Sequence, residues 1–180
     1  RLVQTPSAAD TPETYWGKCT KEAMDLLVAH SQSPLWPLLN EVVERYELEG
    51  AERSRPMPGL EVFLAALEGR RRAIVTLLGP RATERVLQLH GISVDAVVAR
   101  ERGLRPKPFP DPVLEALRRL GASPRDAVFV GDSEWDEAAA EGAGVRFLGV
   151  TNGRENARFK TGLVARDLLE AAALLKKLEA

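Results

Sequence analysis

Val128-Phe129-Val130-Gly131-Asp132-Ser133-Glu134-Trp135-Asp136 is the stretch on which the reading of this chain turns. An apolar run delivers a glycine and then a carboxylate. Four residues later a second carboxylate stands at the start of a helical pattern. Gly131 permits a tight exit from a strand. Asp132 and Asp136 then face one point above the sheet edge. Two hard oxygen ligands, completed by waters and a phosphate, suit Mg²⁺. Read alone, the segment is equally well explained by Asp132 capping a turn and Asp136 capping the helix.

Outward from this stretch, apolar runs alternate with helical patterns. Ala73–Leu78, Val94–Ala99, Ala127–Val130 and Val145–Val150 read as strands, the first suited to burial on both faces. Between and after them, Ala82–Leu89, Asp111–Leu120, Asp136–Glu141 and Leu168–Leu178 read as helices, and Leu60–Leu67 as a short one before the first strand. Strand–helix alternation predicts an α/β fold, a Rossmann-like parallel sheet with flanking helices. Ligands of such sheets bind at the carboxyl ends of the strands.

Two further features fall at those ends. Arg105-Pro106-Lys107-Pro108-Phe109-Pro110-Asp111-Pro112 has four prolines in eight residues, a stiff loop that fixes one ammonium group. A fixed Lys107 stabilises charge on a phosphoryl group. An exposed lysine in a proline-rich connection is the plainer alternative. Thr76 closes a strand, where its hydroxyl can donate to a phosphoryl oxygen. A β-branched strand residue is again the plainer reading.

Together, the strand-end Thr76, the proline-clamped Lys107 and the Gly131-Asp132-x-x-x-Asp136 segment resemble the haloacid dehalogenase superfamily, in its phosphoglycolate-phosphatase-like branch. Pro56-Met57-Pro58-Gly59 also matches the P-x-P-G before that family's second motif. The resemblance covers residues 56 to 153 well and is looser before them. It implies a Mg²⁺-dependent phosphatase of a small phosphorylated metabolite. Thr76 and Lys107 then hold the phosphoryl group, and Asp132 and Asp136 hold the metal, Asp136 directly or through water. It also implies an aspartyl-phosphate intermediate, formed by a D-x-D pair at the end of the family's first strand. That pair is absent from this sequence. Arg1-Leu2-Val3-Gln4-Thr5-Pro6 looks like the tail of the loop that follows it. Asp10, without an apolar strand before it, reads as a helix cap and not as a replacement nucleophile. The expectation is that the first strand lies upstream. The alternative is a non-catalytic binding or scaffolding protein on the same fold. A receiver-type α/β domain fits less well, because its acidic pair lies near the first strand and it has no helical insert.

The same resemblance divides the chain into residues 1–6, the loop tail; 7–55, a small helical cap; and 56–180, the α/β core. Asp10, Thr11, Pro12 and Glu13 supply N-terminal signals for a helix over Tyr15–Ala29. A second helix starts at Ser33-Pro34, with Leu35, Leu38, Leu39, Val42 and Val43 at helical spacing. Glu47–Pro58 reads as a charged linker. At about fifty residues the unit is short for a four-helix cap. Trp16 and Trp36 line a substrate entrance or pack between the helices, and Trp135 lies at the site mouth or on the sheet. His30 and His90 end helical stretches and receive no catalytic role. Asn152-Gly153-Arg154 reads as a turn near the site rim.

A formal net charge of -1 points to neither nucleic acid nor an anionic membrane. Arg70-Arg71-Arg72 reads as a solvated helix end. The single cysteine, Cys19, forms no disulfide within the chain and reads as packing. With no spanning segment or signal peptide in view, a cytoplasmic protein is expected. Substrate and oligomeric state are not legible.

Overall fold

The computed structural model describes residues 3–4, 15–30, 32–155 and 159–178, with side chains from Glu22 onward. The capping signals at Asp10 to Glu13, and the side chains of Trp16 and Cys19, lie outside them. Val3–Gln4 forms a short strand, β1, antiparallel to β2 (Arg55–Pro56). Among the described residues between them are two helices, α1 (Tyr15–Ala29) and α2 (Trp36–Glu52). Thus α2 takes in the first part of the expected linker. Glu47, Leu48, Glu49 and Glu52 are good helix formers, and one glycine, Gly50, does not outweigh them.

Of the apolar residues at helical spacing on and before α2, Leu35, Leu38 and Val42 are exposed and Leu39 and Val43 half-buried, whereas Glu44 and Ala51 are buried. The helix turns an acidic side toward α4 (Pro80–Leu89).

The remaining elements are α3 (Leu60–Ala66), β3 (Ala73–Val75), β4 (Ala96–Val98), α5 (Asp111–Leu120), β5 (Val128–Gly131), α6 (Glu134–Ala143), β6 (Arg146–Val150), β7 (Val164–Ala165) and α7 (Leu168–Lys177). β3 and β4 pair in parallel, with Ala73 opposite Ala96. β5, β6 and β7 form a second parallel sheet, with Val128 opposite Arg146 and Gly149 opposite Val164.

Side-chain alternation explains how the second sheet is buried on both faces. Val128, Val130, Leu148 and Val150 join a core with Leu60, Phe63, Leu168 and Leu175 from α3 and α7. Phe129 and Phe147 point the other way, to Val113 and Leu117 of α5 and Ala139, Ala140 and Ala143 of α6. Leu148 is completely buried.

Among the described residues, no strand pairs with the second edge of β3 or of β5. Both strands are half-buried along most of their length. α5 links the two sheets, touching β3 and β4 of the first and packing with α6 against Phe129 and Phe147 of the second.

Candidate active site

β5 ends at Gly131, and α6 starts three residues later. Ser133 is the N-cap of α6: its hydroxyl accepts from the Asp136 N–H, and the Asp136 carboxylate accepts from the Ser133 N–H at 3.1 Å. This reciprocal capping box satisfies two backbone donors that a helix start otherwise leaves open. Ser133-x-x-Asp136 is the local pattern that could have found it, where the sequence offered Asp136 as the cap. The cap is therefore Ser133, with Asp136 at the third helical position.

Asp136 does more than close the helix. Its Oδ2 also accepts from the Asp132 N–H at 3.2 Å and from the Ser133 hydroxyl at 2.6 Å. Its Oδ1 accepts from Lys107 Nζ at 2.5 Å. Gly131 makes this close approach possible, because a Cβ there would overlap the Asp136 side chain. Burial opposes ionisation of Asp136, but neighbouring positive charge, the Lys107 ammonium foremost, together with the Ser133 hydroxyl holds its carboxyl below the ordinary range. Ser133→Ala removes the cap and a bond to a buried carboxylate. It should lower stability by about 1–2 kcal/mol, read as a lower urea midpoint at unchanged slope.

Lys107 comes from the proline loop before α5. Arg105 braces that loop with two bonds to Asp111, each 2.9 Å, and stacks over Phe109 at 4.5 Å. Lys107 Nζ also donates to the Val75 carbonyl at 3.3 Å. One ammonium thus touches the carboxyl end of β3 and a carboxylate beyond β5. Thr76 follows Val75 directly. Its N–H donates to the Val98 carbonyl, and its hydroxyl accepts from the Leu78 N–H at 3.2 Å. A hydroxyl that accepts there keeps its own proton to donate elsewhere.

Asp132 faces a turn that follows β6. Asn152 Nδ2 lies 3.4 Å from its Oδ2, and the Arg154 guanidinium pairs with the same oxygen at 3.4 Å. Arg154 also donates to the Asp132 carbonyl. Asn152 has φ 53° and Gly153 φ 74°, the left-handed region in which asparagine and glycine are at home. The expected turn is therefore present at the rim. Nothing in the sequence pairs Asn152 and Arg154 with Asp132, twenty residues or more away.

The donors here are hard oxygens of the kind that Mg²⁺ prefers. Beside the Asp132 carboxylate, Asn152 Oδ1 is buried and no donor among the described residues reaches it. The described residues contain no group of three or more His, Cys, Asp or Glu placed to hold a metal. One carboxylate with supporting oxygens fits a Mg²⁺ that keeps most of its waters and uses the substrate's own oxygens. Trp135, half-buried, walls a neighbouring cleft of about 510 Å³ with Pro108, Glu134, Phe159 and Lys160.

Residues 5–150 match the family described as haloacid dehalogenase-like hydrolase. The chain belongs to this family. Among its relatives are N-acetylmuramic acid 6-phosphate phosphatase of Pseudomonas aeruginosa and phosphoglycolate phosphatase of Xylella fastidiosa. The first is 33% identical over 121 residues, covering 65% of this chain and 54% of that protein. The second is 35% identical over 112 residues, covering 60% and 49%. The chain spans about half the length of these curated relatives. In three dimensions it resembles a haloacid dehalogenase-superfamily hydrolase of Geobacter sulfurreducens, with TM-score 0.62 and 29% identity, covering 70% of this chain and 64% of that one. The α/β fold and the phosphoglycolate-phosphatase-like branch both agree with the sequence reading. No helix among the described residues is long and apolar enough to cross a membrane.

Proposed function

We propose that the protein hydrolyses a small phosphate monoester with Mg²⁺, through an aspartyl-phosphate whose nucleophile belongs to a strand upstream of Arg1. The observation that carries this reading is the position of Lys107, which ties the end of β3, next to Thr76, to Asp136 beyond β5. Among the described residues β3 and β5 each have an edge without a partner strand, which supports the upstream strand. A parallel strand between them would satisfy two rows of backbone groups and end beside Lys107.

Each side chain then has a task. The Thr76 hydroxyl donates to a phosphoryl oxygen. Lys107 offsets negative charge on the phosphoryl group and on the attacking carboxylate. Asp132 ligates the metal. Asp136, whose oxygens already accept from Lys107, Ser133 and Asp132, reaches it through water and fixes the loop. Bound Mg²⁺ supplies positive charge opposite the phosphoryl oxygens. The upstream D-x-D pair provides the nucleophile and a general acid–base. Residues 7–55 act as the cap, and the site of action is cytoplasmic.

The test is a panel of small phosphate monoesters, sugar phosphates and nucleotides among them, offered to full-length protein with Mg²⁺ and with EDTA. Mg²⁺-dependent release of phosphate from at least one ester is the expected result. A full-length chain without a strand ending in D-x-D, and without turnover of any ester, would support the non-catalytic alternative instead.

A further inference from the structure

Behind Thr76 lies a buried polar network that the proposed reaction does not use. Arg100, just after β4, is 4% exposed at its side chain, and Glu47 of α2 is 14% exposed. The guanidinium grips Glu47 with two bonds, Nη1 to Oε1 at 2.6 Å and Nη2 to Oε2 at 3.0 Å. Its Nε donates to Asn40 Oδ1 of α2 at 2.9 Å. Nη1 also donates to the Leu77 carbonyl at 2.6 Å, and the Arg100 N–H donates to the Leu78 carbonyl at 2.9 Å. On the far side, Glu47 Oε2 accepts from the Gly79 N–H at 2.9 Å, and Glu44 Oε1 from the Arg81 N–H at 2.8 Å. A Cβ on Gly79 would run into the Glu44 carboxyl, so glycine is needed for the approach.

These bonds fall on every residue from Leu77 to Gly79, the three that follow Thr76. The Thr76 hydroxyl itself accepts from Leu78. The loop therefore takes its place from α2 as much as from the sheet. A buried ion pair is weak evidence for stability, because desolvation offsets attraction. What a bidentate pair does supply is fixed geometry.

We infer that the Arg100–Glu47 pair is a positioning device, through which the seating of α2 sets the Thr76 hydroxyl for the phosphoryl group. Arg100 and Glu47 act through Thr76 and touch no substrate. The inference rests on the proposed phosphate role of Thr76. A ligand that shifts α2 would then loosen or tighten the hold on phosphate at the other end of the network.

Inorganic phosphate is the probe, with its affinity measured calorimetrically in Mg²⁺ for full-length wild type, Thr76→Val, Glu47→Gln, Asn40→Ala and the Thr76→Val/Glu47→Gln pair. Glu47→Gln keeps size and an acceptor oxygen, so it should fold, and Asn40→Ala is a milder second probe. Thr76→Val and Glu47→Gln should each weaken phosphate about tenfold, and the double variant should lose little more than either single one. Amide exchange should quicken at Leu78 and Gly79 but not in α5 or α6. Additive losses, or Glu47→Gln and Asn40→Ala binding phosphate like wild type while Thr76→Val does not, overturn the positioning role and leave the functional reading standing. Wild-type affinity in Thr76→Val, or no phosphate binding by wild type, overturns both.

Discussion

Lys107→Met is expected to cut turnover by about a thousandfold and to destabilise the fold by about 3–5 kcal/mol, the range for breaking a buried ion pair on one side. The pair warrants that range because it is well shielded, with Lys107 12% and Asp136 5% exposed at the side chain. Methionine fills the space but leaves Asp136 charged in a place where burial already opposes ionisation. Adding Asp136→Asn removes that charge and should recover part of the lost stability while recovering no turnover. This separates charge burial from chemistry. The pH dependence separates them again. In the wild type the Asp136 carboxyl is held below its ordinary range, so its stabilising effect is present above about pH 4 and is lost as pH falls through the lower folded value. Without Lys107, burial dominates and the carboxyl is pushed up. The deficit of Lys107→Met should then be largest near neutrality and shrink on acidification. Urea unfolding in EDTA at several pH values measures it. A deficit that does not change with pH would remove Asp136 ionisation from the account.

The two halves of this contact were legible in the sequence because each is a local pattern. Gly131-Asp132-Ser133-Glu134-Trp135-Asp136 holds its glycine, its cap and its carboxylates within one turn, and the proline loop fixes Lys107 through neighbours along the chain. The parallel strands were legible for the same reason. Arg100, Glu44 and Glu47 were not. Arg100 and Glu47 are 53 residues apart, and nothing local to either marks a partner. Glu47 also falls in the charged stretch Glu47–Pro58 that predicts a linker, where a charged residue needs no partner at all. Of the apolar set on α2, Leu35, Leu38 and Val42 are exposed while Leu39 and Val43 are half-buried. Helical spacing showed a stripe but not how much of it is covered, nor that Glu44 is buried. Asn152 and Arg154 reach Asp132 only because parallel pairing places the end of β6 beside the end of β5. The turn could be read from Asn-Gly, but what it touches could not.

Asp132→Ala should abolish Mg²⁺-dependent turnover in full-length protein while leaving the fold nearly as stable as before. The structure explains why the two effects separate. The backbone of Asp132 holds the loop through two bonds: its N–H donates to Asp136 and its carbonyl accepts from Arg154. Both bonds survive in alanine. The lost carboxylate, 18% exposed, lies 3.4 Å from both Asn152 and Arg154, contacts long enough that its removal should cost about 1 kcal/mol. Its expected chemical weight is far larger, because a divalent ion held by few protein oxygens has little to replace one that is removed. Asp132→Asn refines the argument. The amide keeps the shape but loses the charge, and turnover should stay low at Mg²⁺ concentrations that saturate the wild type. Arg154→Ala works in the opposite direction, since it removes a positive charge 3.4 Å from the same oxygen and should lower the Mg²⁺ concentration needed for half-maximal turnover. Undiminished turnover in Asp132→Ala would discard Asp132 as a metal ligand and leave Lys107 and Thr76 to be explained without one.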